Sequence, residues 1–173
     1  MHHPTRTRKL DQNVTEPATP EIRTSAKAVI LNDGQVLLMR AVWEGQECYF
    51  LPGGGQHPGE TLGDAVRREV DEETGLTVTV ERLLWLREYI GAHHDHPESE
   101  ANTHRIEAIF LCTPTSDPGQ LGGHAQDDVQ TGLEWVPLGK IPAINLLPQA
   151  IRQPIATLTE TPTPPDTYLG DVA

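Results

Sequence analysis

The sequence predicts an α+β domain with a mixed sheet held between helices, and three observations carry that expectation. Two β-type runs, 26–31 and 35–41, flank Asn32-Asp33-Gly34, and Asp-Gly between such runs is a strong hairpin signal. A glycine-rich loop then opens a single helical pattern, which Gly75 stops with a left-handed cap. Further strand-like runs follow before a last helical pattern, an order that places strands and helices around one sheet.

In chain order, residues 1–23 are polar, carry Pro4, Pro17 and Pro20, and read as a disordered arm. The domain is expected over 24–158. After the hairpin, 48–51 is a short apolar strand leading into Pro52 and the glycines of the loop 53–59. The helix spans 61–74, about four turns. Residues 76–90 are rich in Val and Leu and fit one or two strands, 91–102 a polar loop, and 104–113 a strand. A Gly/Asp/Pro loop over 114–132 is long enough to suggest function. Residues 133–138 form a strand that Pro137 ends. Apolar residues near helical spacing predict a helix over 145–158, with Pro148 in its first turn and Pro154 near its end. Residues 159–173 are Thr/Pro-rich and read as a disordered tail.

A chain of 173 residues suits one domain with a real core. Its net charge of −12 argues against a general nucleic-acid binder, since phosphate contact needs a basic stripe. An acidic protein acting on a polyanion would rely on cations to mask repulsion, which points to a metal. No apolar run approaches the ~20 residues that span a bilayer, and no apolar stretch follows the basic residues Arg6, Arg8 and Lys9. Cys48 and Cys112 form no CxxC pair, so a reduced, cytoplasmic setting is the default.

The helix breaks three local rules near its C-terminal end. Leu62, Ala65 and Val66 form a narrow apolar stripe, and Glu69, Glu72 and Glu73 continue it where more core would be expected. Glu69 and Glu73 are a like-charge i,i+4 pair, a cost of roughly 0.2–0.5 kcal/mol on a helix surface. Carboxylates also sit at the wrong end for the helix dipole. Such places are usually functional, and a hard divalent cation would resolve all three conflicts. The plainer reading is a solvated acidic face with salt bridges such as Arg68 to Glu72.

Residues 54–76 resemble the Nudix box: Gly, five residues, Glu, seven residues, Arg-Glu, an aliphatic, any residue, Glu-Glu, any residue, Gly, an aliphatic. Gly54, Glu60, Arg68, Glu69, Val70, Glu72, Glu73, Gly75 and Leu76 fill every fixed position. The resemblance extends over about 25–158 and implies an α/β/α sandwich, the Nudix fold, with the box as loop–helix–loop. Leu51-Pro52-Gly53-Gly54-Gly55 and the segment 130–138 are similar to one bacterial branch that leans toward ADP-ribose-like compounds.

The resemblance implies hydrolysis of a nucleoside diphosphate linked to a group X, with water attacking phosphorus and Mg²⁺ (or Mn²⁺) as cofactor. It makes Glu69, Glu72 and Glu73 metal ligands, with Glu69 also as base or water-orienting group, and gives Gly53 a backbone carbonyl for the metal. Gly53, Gly54 and Gly55 would let phosphate approach the backbone. Arg68 would hold a box glutamate in place. Glu60 would tie the loop to the helix start, and it also fits a capping position. A further acidic residue after the box often completes such sites. Asp127 and Asp128 in the long loop are the first candidates and Glu107 the second, against a solvated loop pair. Tyr49, Trp85 and Tyr89 are candidates to stack a base, although aromatics in strands are more often core, as is expected of Trp135. The His93-His94-Asp95-His96 run matches no common zinc spacing and reads as a polar or substrate-contacting loop. A (d)NTP pyrophosphohydrolase is the alternative enzyme, and a non-catalytic nucleotide sensor the alternative class. The intact box glutamates argue against the sensor. The partner expected is a small nucleotide, with neither nucleic acid nor membrane, and the resemblance admits a homodimer.

Overall fold

The computed structural model of the chain describes residues 21–43, 45–94, 101–124, 130–158 and 167–173. The hairpin forms as the Asp-Gly signal requires. β1 (Ile22–Asn32) turns into β2 (Gln35–Trp43) through Asp33 and Gly34, both with positive φ (47° and 72°), the two-residue turn whose twist matches its strands. β3 (Gln46–Phe50) and β4 (Gly53–Gly55) lead to α1 (Leu62–Thr74). β5 (Val78–Ile90), β6 (His104–Pro114), β7 (Gln130–Pro137), α2 (Arg152–Ala156) and β8 (Tyr168–Asp171) complete the order.

The sheet runs β3-β2-β1-β6-β5-β8, with β4 beside β1 and β7 beside β2. β1 is its pivot. It pairs parallel with β6 from Ile22↔His104 to Ile30↔Cys112, antiparallel with β4 at Ala26↔Gly54, and reaches β2 only at Leu31 and Asn32. This mixed sheet bears out the expected α+β class.

Each face of the sheet has its own core. On one, α1 lays Ala65, Val66 and Val70 against Ala26, Ala28 and Ile30, all fully buried. The two alanines let the helix come close to β1, and burying Val66 and Val70 contributes about 1.5–3 kcal/mol each. On the other, Val29, Leu38, Leu84, Trp85 and Ile109 pack under Ile141, Leu146, Ile151 and Ile155. Trp85 and Trp135 both join cores. Cys48 and Cys112 are buried and free, and burial pushes the Cys112 thiol up to about 12.

Several expectations give way. Residues 76–90 make one strand, bent by bulges between Val80 and Arg82 and between Leu83 and Trp85. The helix expected over 145–158 is a 3-10 turn (Gln149–Ile151) followed by the five-residue α2, because Pro148 and Pro154 each remove a backbone donor. β1 takes in Ile22 and Arg23, the end of the arm expected over 1–23. The tail expected over 159–173 contains β8, paired parallel with β5. No described helix is long and apolar enough to cross a membrane.

Candidate active site

α1 begins where the sequence predicts. Thr61 is the N-cap, its Oγ1 accepting the Asp64 N–H at 3.1 Å. Glu60 is therefore not the cap, contrary to one expectation. Its carboxylate instead joins the loop to the helix, accepting from the His57 N–H (2.9 Å) and from Arg68 Nε and Nη2 (2.8 and 3.0 Å).

Arg68 organises the box. Beyond Glu60, its Nη2 donates to the Gly55 carbonyl at 2.9 Å, and its Nη1 donates to both Glu69 (2.7 Å) and Glu72 (3.2 Å). The fork of a guanidinium reaches all four partners at once, which a lysine could not do. The same contacts hold the Glu60 carboxyl down to about 2, chiefly through the Arg68 hydrogen bonds and then through the His57 N–H. Glu60 thus stabilises the fold fully above its ordinary value of 4.5, and that contribution is lost as pH falls from 4.5 toward about 2. Thermal melts of metal-free protein over this window should show a falling midpoint, with a shallower fall for Glu60→Gln.

Glu73 is buried, and its Oε2 accepts the Gly53 N–H at 2.7 Å, tying the end of the helix to the glycine loop. The loop fits too closely for side chains. A Cβ on Gly54 would lie 2.5 Å from the Glu69 carboxylate, and one on Gly53 (φ 129°) 2.2 Å from the Ala26 carbonyl. The Gly53 carbonyl accepts from the Lys27 ammonium.

The last carbonyls at the helix C-terminus are met by backbone donors. The Gly122 N–H reaches the Thr74 carbonyl (2.9 Å), the His124 N–H the Glu72 carbonyl (2.8 Å) and the Gly75 N–H the Asp71 carbonyl (2.9 Å). Only glycine fits at 123, where a Cβ would stand 2.2 Å from the Glu73 carbonyl.

The donors here are hard oxygens, the chemistry that suits a divalent cation. Two protein cations hold them now: Arg68 Nη1 lies on Glu69 and Glu72, and Lys27 lies on the Gly53 carbonyl. Among the described residues no three His, Cys, Asp or Glu side chains converge as a metal-holding group. Arg68 engages two of the carboxylates and Gly53 the third. Asp127, Asp128, Asp95 and His96 lie outside the described residues.

A cavity of about 320 Å³ adjoins the loop. Lys27 links the two, and Gln130 lines the cavity while its amide lies 3.5 Å from the Glu73 carbonyl. Trp43, Phe50 and Tyr89 give it aromatic walls. Arg87 and Glu107, both buried, stand in it as an ion pair with Nε donating to Oε2 at 2.6 Å. Tyr89 and Glu107 thus both line the cavity. Glu107 faces Arg87 in register across β5 and β6 and lines this cavity with it. Tyr49 does not line the cavity, and its hydroxyl donates to Glu134 at 3.1 Å. His93 and His94 both pair with Asp171 at 2.8 Å. Sequence reasoning missed Lys27, Arg87 and Trp43. The available signal was a charge inside an apolar run, at Lys27 between Ala26 and Ala28.

The sequence matches the family model described as NUDIX domain over residues 21–158. It is 30% identical to an ADP-ribose pyrophosphatase of Methanocaldococcus jannaschii, with 57% of this chain aligned to 55% of that protein. The chain therefore spans about half the length of that relative. It is also 30% identical to the nucleoside triphosphatase NudI of an Enterobacter species, with 72% of this chain aligned to 88% of that protein. The structure of a MutT NUDIX hydrolase from Burkholderia pseudomallei superposes with a TM-score of 0.58 at 27% identity, covering 80% of this chain and 99% of that one.

Proposed function

Since the chain belongs to the NUDIX family, we propose that it is a divalent-metal-dependent hydrolase of nucleoside diphosphates linked to a group X, with ADP-ribose or a sugar nucleotide as the favoured substrate. The observation that carries this reading is that Glu73 takes the Gly53 N–H, Glu69 lies against Gly54, and Arg68 ties Glu69 and Glu72 to the Gly55 carbonyl, beside a cavity with aromatic walls. The ADP-ribose pyrophosphatase relative supports the choice of X.

In this reading the three glutamates and the Gly53 carbonyl would hold Mg²⁺, or Mn²⁺, which would neutralise charge on phosphoryl oxygens and lower the pKa of a bound water. Glu69 orients that water or takes its proton, and Asp127 or Asp128 completes the carboxylate set. Arg68 and Glu60 fix the glutamates in place. Gly54 and Gly55 leave the backbone open to a phosphate. Water adds to one phosphorus, the P–O–P bridge breaks, and two phosphate-bearing products leave. The cavity takes the nucleoside, with Tyr89 and Glu107 among its contacts. The buried free cysteines support a cytoplasmic setting.

A second reading has its own support. The NudI relative, most of whose length this chain covers, is named a nucleoside triphosphatase. A (d)NTP pyrophosphohydrolase would release pyrophosphate from the same site. The test is a panel of ADP-ribose, sugar nucleotides, dinucleoside polyphosphates and (d)NTPs, with Mg²⁺ and with EDTA, read by chromatography. AMP from ADP-ribose only with Mg²⁺ is the expected result. Pyrophosphate from an NTP would promote the second reading, and binding without turnover would return the chain to a sensor. On the best substrate, Asp127→Asn with Asp128→Asn should lower kcat about tenfold or more if that loop supplies a ligand or base. Unchanged kcat would remove the pair from the site.

A further inference from the structure

β8 does more than cover an edge. Covering β5 needs only backbone hydrogen bonds, and β8 makes them: the Leu86 N–H donates to the Thr167 carbonyl (2.6 Å) and the Val172 N–H to the Glu88 carbonyl (3.2 Å). Two additional contacts run from this segment into the cavity wall. The Val172 carbonyl accepts from Arg87 Nη1 at 2.6 Å, on the same guanidinium whose Nε is held by Glu107. Asp171 accepts the Ile90 N–H (2.9 Å) and pairs with His93 and His94 (2.8 Å each). The His94 ring in turn stacks on Tyr89, centroids 5.2 Å apart and planes 6° from parallel. Ala173 itself lines the cavity beside Arg87, Tyr89 and Glu107.

We propose that residues 169–173 are a positioning clasp for the nucleoside cavity, setting Arg87 through the Val172 carbonyl and Tyr89 through the Asp171–His94 pair. The proposal rests on the reading of this cavity as the nucleoside site. A guanidinium fixed at Nε and Nη1 and an aromatic ring fixed by its stacked neighbour lose less freedom when a ligand binds, so the clasp acts on affinity and not on bond cleavage. Gly170, with φ at 77°, gives the turn of backbone that brings Asp171 and Val172 to their partners, next to the bulge between Leu86 and Arg87 in the β5–β8 register. Leu169 packs on the core and anchors the segment.

The experiment uses the full chain with Asp171→Ala, which removes all three carboxylate contacts. Tyr168→Phe is the control, because it removes only an exposed bond from β8 to Glu88 on β5. AMP binding by calorimetry needs no turnover, and its Kd should rise about tenfold in Asp171→Ala and stay unchanged in Tyr168→Phe. On the best substrate KM should rise by a similar factor, with kcat within about twofold of the parent. Should Asp171→Ala melt early, Asp171→Asn keeps an acceptor for the Ile90 N–H and should weaken AMP about threefold. If the parent chain binds no AMP, the nucleoside reading of the cavity falls, and the clasp with it. If the parent binds AMP and Asp171→Ala binds it equally well, the cavity reading stands and the clasp alone is overturned.

Discussion

Replacing Glu73 by Gln is expected to lower kcat by on the order of 100-fold or more, with the thermal midpoint of metal-free protein within about 3 °C of the parent. Glutamine is almost the same size as glutamate, and its amide oxygen can still accept the Gly53 N–H that Oε2 accepts now. The helix end therefore keeps its tie to the loop. What is lost is a negative charge, buried next to the place proposed for the metal. Near-normal kcat with a normal melt would remove Glu73 from the metal set. A collapse in both would show that its charge is needed for folding, and activity would then say nothing about ligation.

The second large effect is on stability. Gly53→Ala should cost on the order of 3 kcal/mol or more, a drop of roughly 6–12 °C in midpoint for a chain of this size. Two penalties add at this position. The backbone has φ at 129°, which side-chain-bearing residues rarely adopt, and the new Cβ would stand 2.2 Å from the Ala26 carbonyl and 2.8 Å from the Lys27 Cα. β4 pairs here with β1, so relief requires the strands to part. Gly59→Ala is a useful comparison: its φ of 85° is also unfavourable, but a Cβ there meets nothing within 4 Å. It should cost about 1–2 kcal/mol. Equal losses in the two variants would contradict the close contact between β4 and β1.

The parts of the fold legible in the sequence were those set by local chemistry. Asp33-Gly34 announces its turn because only a few residues accept positive φ twice in a row. Thr61 and Gly75 announce the ends of α1 for similar reasons. The line of Glu69, Glu72 and Glu73 is legible because the helical period alone puts them on one face. Long-range pairing was hidden. Arg87 meets Glu107 only through the β5–β6 register, which two bulges shift, so counting along either strand does not predict the pair. Tyr49 and Tyr89 look alike in sequence, yet only Tyr89 faces the cavity. β8 was missed because its four residues include Gly170 and follow a Thr/Pro-rich stretch, so no alternation marks a strand. The helix misread over 145–158 had the right apolar spacing but lacked the donors that Pro148 and Pro154 remove.

The box carboxylates are proposed to support metal-dependent attack of water on phosphorus. Hydrolysis of the best substrate from the panel in ¹⁸O-water, with Mg²⁺ and with EDTA, tests it most directly by mass spectrometry of the products. Metal-dependent attack on phosphorus puts one ¹⁸O in a phosphate group of a single product and gives no turnover in EDTA. Label on a carbon-bound hydroxyl, or turnover that survives EDTA, would contradict it.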